Sequence, residues 1–169
     1  MIGIRPESAE DFDYIDELLN AAFGQPGEAR IMRRLRETPD LILALAAESH
    51  GALVGHIAFS RVAAISGSGT IQFACLAPMA VRPGRQRKGI GAALIRRGLE
   101  MVRELRFPAV VVLGDPVYYG RFGFKVEAAT LLECPYSGPY LQALELVPGT
   151  LRMLGPAKLE FAAPLMPEG

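Results

Sequence analysis

The chain has 169 residues, half of them hydrophobic, enough to bury one sizeable core and to read as a single domain over residues 1–169. Its 18 basic residues balance its 18 acidic ones, which argues against general nucleic-acid binding. Cys75 and Cys134 are too few for a disulfide framework, two histidines without clustered partners give no metal site, and no apolar stretch reaches membrane-spanning length; the expectation is a cytoplasmic protein with no metal and no membrane partner.

In chain order, Ile2 to Arg5 is a short strand, and Ser8 starts a helix whose Phe12, Ile15, Leu19 and Phe23 are expected to form one apolar stripe. Ser8 and Asp11 approximate a capping box. Glu28 to Arg36 reads as a second, basic helix ending before Pro39. Leu41 to Glu48 and Leu53 to Ile65 are strands joined through Ser49, His50 and Gly51, and Ile71 to Val81 is a third strand after the turn at Ser66 to Thr70. Ile90, Leu94, Met101 and Leu105 then recur at helical spacing. Pro108 to Leu113 is a continuous β-branched run, the pattern of a buried strand. Lys125 to Leu131, Leu141 to Val147 and Lys158 to Phe161 are further expected strands. This alternation predicts α/β layers around a mixed sheet.

The junction from Met79 to Leu94, MAVRPGRQRKGIGAAL, runs an apolar strand into a helix that begins near Gly89. A helix N-terminus presents unpaired N–H groups and a partial positive charge, and Gly89 and Gly91 remove Cβ atoms that would keep an anion away. No acidic residue lies between Val81 and Leu99, whereas Arg82, Arg85, Arg87, Lys88, Arg96 and Arg97 do, so the local field favours a polyanion. No Lys-Ser or Lys-Thr pair follows the glycines, which excludes a P-loop, and the third glycine of the dinucleotide fingerprint is missing.

Gln86, Gly89 and Gly91 resemble the acetyl-coenzyme A signature of the GNAT acetyltransferase superfamily, and Tyr119 with Gly123 and Phe124, in GDPVYYGRFGF, matches the family's tyrosine helix and the Gly-Phe that follows it. Within the family, this wording and PYLQALEL, from Pro139 to Leu146, look like the YhbS-like branch. The resemblance covers about Ile2 to Val126. It implies a GNAT-like mixed central β-sheet flanked by helices, with acyl-coenzyme A bound where a central strand feeds the phosphate-binding helix. It also implies that Met79, Ala80 and Val81 offer backbone groups to the pantetheine arm, with the Met79 N–H as oxyanion donor. Gln86, Arg87, Lys88, Gly89, Ile90, Gly91 and Ala92 would wrap the pyrophosphate, and Tyr119 would protonate the leaving thiolate, with Tyr118 beside it packing inward or lining the acceptor side.

The implied activity is transfer of an acetyl group from acetyl-coenzyme A, as co-substrate, to a small-molecule or peptide primary amine, and a homodimer is compatible with it. Many relatives place a carboxylate on the strand before Met79; this chain has Gln72, Phe73, Ala74 and Cys75 there, so no general base is assigned, and Glu28, His56, Glu133 and Tyr136 stand as motif-free candidates. That gap keeps open a non-catalytic acyl-coenzyme A binding or regulatory domain. A cysteine acyltransferase using Cys75 or Cys134 lacks an adjacent base in the sequence.

Overall fold

In a computed structural model, which describes residues 1–167, eight strands form one mixed sheet flanked by helices. The strands are β1 (Gly3–Pro6), β2 (Leu41–Ser49), β3 (Ala52–Ser66), β4 (Gly69–Val81), β5 (Ala109–Leu113), β6 (Leu132–Glu133), β7 (Leu141–Glu145) and β8 (Ala157–Phe161). Their order is β1-β2-β3-β4-β5-β7, with β8 paired to β3 and to β6. The helices are α1 (Phe12–Phe23), α2 (Gly27–Arg36), α3 (Ile90–Glu104), α4 (Pro116–Gly120) and α5 (Thr150–Leu154). The chain divides into two compact units, residues 1–59 with 77–101, and residues 60–76 with the chain from 102 onward.

In the first unit, β1 and β2 pair antiparallel from Gly3↔Glu48 to Pro6↔Leu45. The Asp11 carboxylate accepts the Ser8 backbone N–H at 2.8 Å, so the expected capping box forms, on a short 3-10 turn (Ala9–Asp11) that leads into α1. Ile15, Leu18 and Leu19 are fully buried and Ala22 packs against the same cluster, together with Ala29 and Met32 of α2 and Ala44, Ala46 and Ala58 of the sheet. The stripe therefore follows the 3.6-residue repeat through positions 15, 18, 19 and 22, and Phe23, expected on it, falls one step off and is exposed. On α3 the buried hydrophobic residues are Ile90, Ala92, Leu94, Ile95 and Val102. Leu105, expected there, lies beyond the helix end and is exposed, and Met101 is only partly buried.

Phe59 of β3 lies so close to α3 that a Cβ on Gly98 would stand 2.4 Å from its Cε1. Gly98→Ala should therefore destabilise by about 1–3 kcal/mol despite alanine's better helix propensity, because a buried ring must move. A urea midpoint equal to or above that of the wild type would refute this packing.

Asp11 sits in an ion cluster: Arg5 donates to it at 2.7 and 2.8 Å and to Glu48 at 2.6 Å. The Arg5 hydrogen bonds outweigh burial and hold the Asp11 carboxyl well below its ordinary value of 3.8. A depressed folded-state pKa means that the stabilisation is present above that ordinary value and is lost as pH falls through the folded one. The stability gap between wild type and Asp11→Asn should thus narrow between pH 5 and pH 2; a constant gap in urea titrations would show that the ion pair contributes nothing.

In the second unit, Ala109 to Val112 are all buried, as a continuous apolar run requires. β5 lies parallel to β4 through Ala74↔Val110 and Cys75↔Val111, and antiparallel to β7 from Ala109↔Glu145 to Leu113↔Leu141. The expected strand over Lys125 to Leu131 is absent. Lys125 makes a single bridge to Ala143, and Glu127–Ala129 form a 3-10 turn, in keeping with alanines that suit helical turns and fill a strand poorly. The two-residue β6 and the five-residue α5 are too short to leave a periodic signal.

Candidate functional site

The strand β4 ends at Val81, and the backbone of the next turn is tied down from both sides. The Arg82 N–H donates to the Val54 carbonyl at 2.8 Å, and its Nε to the Leu53 carbonyl at 3.1 Å. Gln86 Nε2 reaches back to the Val81 carbonyl at 3.1 Å. Arg87 (φ 63°) and Gly89 (φ 83°) both adopt left-handed backbone, a succession that curls consecutive N–H groups toward one concavity. The Gly89 carbonyl accepts the first bond of α3, from the Ala93 N–H at 3.0 Å, which makes Gly89 the cap and leaves the N–H groups of Ile90, Gly91 and Ala92 without intrahelical acceptors.

A Cβ on Gly89 would meet nothing within 4 Å, so the space beside these donors is open. Glycine suits that backbone angle and leaves the space open. Arg87 and Lys88 are exposed and have no ionic or hydrogen-bond partner among the described residues, whereas Arg82 pairs with Glu17 at 3.6 Å and Arg85 donates to Ser49 Oγ at 3.0 Å. The free charge is thus narrower than the sequence suggests and sits on the two residues that immediately precede Gly89. Together these groups suit a diphosphate: backbone donors at a helix start, a left-handed turn and two unengaged cations.

All the expected cofactor residues, Met79 to Val81 and Gln86 to Ala92, lie in the first unit, and Tyr119 lies in the second. Tyr119 is on α4, which Asp115 caps by accepting the Val117 N–H at 2.9 Å, with Pro116 preset for the first turn. Its ring meets those of Tyr118 (5.1 Å) and Phe124 (5.9 Å) edge-on, and a Cβ on Gly114 would stand 2.6 Å from its Cε2. Burial, with smaller contributions from Tyr118 and Cys75, pushes the Tyr119 hydroxyl up to about 12, so it remains protonated throughout the neutral range. Neither Gly114 nor its contact with the ring was singled out in the sequence; a glycine placed directly before a capped helix is the one local hint.

Three of the four motif-free base candidates, His56, Glu28 and Tyr136, are engaged elsewhere. His56 is fully buried, and its Nε2 donates to Glu7 at 2.8 Å, while Arg36 holds the same carboxylate at 2.8 and 3.0 Å. Burial pushes the Glu7 carboxyl up, but the hydrogen bonds from His56 and Arg36 outweigh it and keep the group below its ordinary value. Glu28 accepts from Gln25 at 3.0 Å, the Tyr136 hydroxyl donates to the Leu165 carbonyl, and Glu133 is exposed. Burial pushes the Cys75 thiol up to about 12, so Cys75 stays protonated near neutral pH. No cluster of metal-ligating side chains occurs among the described residues, and no helix among them is long and apolar enough to cross a membrane.

Comparison with known proteins places this geometry in a family. Residues 3–126 match the acetyltransferase (GNAT) domain family. The N-acetyltransferase YhbS of Escherichia coli K12 is 38% identical over 136 residues, 80% of this chain and 80% of that protein, and the N-acetyltransferase YjhQ of the same strain is 36% identical over 132 residues, 77% and 71% of the two chains. The crystal structure of E. coli YhbS in complex with CoA superposes with a TM-score of 0.88 at 32% identity, covering 99% of this chain and 93% of that one. A Brucella melitensis GNAT family acetyltransferase in complex with acetyl-CoA gives a TM-score of 0.80 at 34% identity, covering 97% of each. The mixed sheet, the glycine-capped α3 and the tyrosine helix are thus those of a chain that belongs to the GNAT acetyltransferase family.

Proposed function

We propose that this acetyltransferase moves an acetyl group from acetyl-coenzyme A to a primary amine by direct attack, with residues 1–169 working as one domain. The observation that carries the ligand assignment is the start of α3, where three N–H groups without intrahelical acceptors adjoin open space at Gly89. The CoA and acetyl-CoA complexes of the two similar structures support the same ligand. In this reading Gln86 to Ala92 wrap the pyrophosphate, chiefly by backbone. Met79, Ala80 and Val81 line the pantetheine arm, and the Met79 N–H donates to the thioester oxygen as it gains negative charge. The neutral amine nitrogen forms a bond to the carbonyl carbon, the C–S bond breaks and the thiolate takes the Tyr119 proton, while the proton lost from nitrogen passes to solvent, from which the tyrosinate is reprotonated.

The acceptor is a small molecule or a peptide; neither a nucleic acid nor a membrane is part of the reaction. Two free cysteines fit a reducing cytoplasm. Measuring thiol release from acetyl-coenzyme A against a panel of amines, polyamines, amino acids and peptides tests the activity. Release that depends on a particular amine is expected, and binding of acetyl-coenzyme A with no release across the panel would favour a non-catalytic acyl-coenzyme A binding domain.

Arg87 and Lys88 should add attraction that salt screens, while the backbone cradle persists. The Arg87→Ala, Lys88→Ala double variant is expected to bind acetyl-coenzyme A several-fold more weakly at low salt and to show a shallower dependence of Kd on ionic strength. Identical salt slopes for variant and wild type would remove these side chains from the phosphate site.

A further inference from the structure

Tyr119 depends for its position on very little protein. Its helix, α4, has five residues, and Tyr119 itself is only partly buried. What the ring rests on is Gly114, whose absent Cβ would stand 2.6 Å from Cε2 and 3.1 Å from Cδ2. The Gly114 peptide therefore forms one wall against the ring, beside the edge-on contacts with Tyr118 and Phe124, and that peptide is held by Tyr140 and by Gln142 of β7. The Gly114 N–H donates to the Tyr140 carbonyl at 3.0 Å. Gln142 Nε2 donates to the Gly114 carbonyl at 3.0 Å and to the Tyr140 carbonyl at 3.3 Å. One buried amide thus ties both strand ends together at the point where β5 becomes the tyrosine helix.

Gln142 is fully buried among apolar strand residues, pairs with Val112 across the ladder, and its Oε1 has no hydrogen-bond partner among the described residues. The amide cannot be turned over, because Oε1 would then face two carbonyl oxygens. A leucine would suit such a strand position without leaving an unpartnered acceptor, so the glutamine is explained by its two donated bonds. We propose that Gln142 is a positioning residue for Tyr119, acting through the Gly114 peptide. The inference rests on Tyr119 being the general acid, and the experiment separates the two.

Single-turnover acetylation of an amine found in the panel would be measured for wild type, Tyr119→Phe, Gln142→Leu and the double variant, alongside Kd for acetyl-coenzyme A. Gln142→Leu should slow the chemical step about tenfold or more and change Kd by less than about twofold, with no added loss in the Tyr119→Phe background. Should Tyr119→Phe itself react at the wild-type rate, the general-acid reading falls. If Tyr119→Phe is slow and Gln142→Leu is not, or if the two losses simply multiply, only the positioning proposal falls.

Gln142→Glu covers the case in which the leucine variant does not fold. Its carboxyl can donate one hydrogen bond when protonated and repels both carbonyls when ionised, so its rate relative to wild type should rise as pH falls from 8 to 5. A flat ratio would overturn the proposal. Independently of any acceptor, the ring signals of Tyr119 in tyrosine-labelled protein, assigned through Tyr119→Phe, should shift in the Gln142 variants while those of the exposed Tyr14 do not; an unmoved Tyr119 signal would count equally against it.

Discussion

Tyr119→Phe is expected to slow single-turnover acetyl transfer by about 10²- to 10³-fold, the lower part of the range for positioned general acids. The magnitude follows from the site. A hydroxyl pushed up to about 12 by burial is always protonated at neutral pH, so the donor form needs no populating, but it is a weaker acid than an exposed tyrosine and transfers its proton less readily. The ring keeps its edge-on contacts with Tyr118 and Phe124 when the hydroxyl is removed, so binding of acetyl-coenzyme A should change little. Single turnover is the informative regime because product release can mask a slowed chemical step. Tyr118→Phe is the matched control on the same short helix. A defect confined to Tyr119→Phe supports the proton-donor role, and equal rates for both variants and wild type would eliminate it.

The features of the proposed site that the sequence exposes are those that the proposed function would write in consecutive letters. A helix start that must leave its N–H groups uncovered needs glycine at a left-handed cap, and Gly89, with its preceding cations, is visible as a string between Gln86 and Ala92. Tyr119 is visible for the same reason, being set by the cap at Asp115 and the Gly-Phe that follows. Side-chain contacts made across the chain are not visible in this way. Gln142 reaches Gly114 from 28 residues away, and His56 reaches Glu7 from 49. Their meaning depends on strand register, Leu113 opposite Leu141 in one case, which no local pattern encodes.

The same division runs through the fold. Long periodic elements such as α1, α2 and the three central strands announce themselves, since each buries a face large enough to impose a repeat. Phe23 is misplaced by a one-residue drift of that repeat, with the small Ala22 taking the packed position that an apolar aromatic had suggested. Beyond Phe124 the elements shorten to two to five residues, and Lys125 makes only an isolated bridge to Ala143. There the backbone's own bonds decide the path: the Glu127 carbonyl accepts from both the N–H and the hydroxyl of Thr130, closing a turn where a strand had been expected.

Gly89→Asp should abolish useful affinity for acetyl-coenzyme A, raising Kd by about 10²- to 10³-fold. Aspartate is among the few residues that tolerate a left-handed backbone, and the space beside Gly89 is open, so the side chain can enter it at a strain of roughly 1–2 kcal/mol. Once there, its carboxylate is a short reach from the N–H groups of α3 that have no intrahelical acceptor, and would cap them itself. It also places a negative charge where the proposed site puts the diphosphate; at 4 Å and an effective dielectric of about 20, like charges repel by about 4 kcal/mol. A helix with an acidic first turn is not disfavoured, so the fold should survive, with a melting temperature only a few degrees lower. Gly89→Asn separates the contributions, since it brings nearly the same shape and backbone tolerance without the charge and should weaken binding by a smaller factor. Calorimetric titration of a folded Gly89→Asp protein showing wild-type Kd would remove the start of α3 from the coenzyme site, whatever the rest of the chain does.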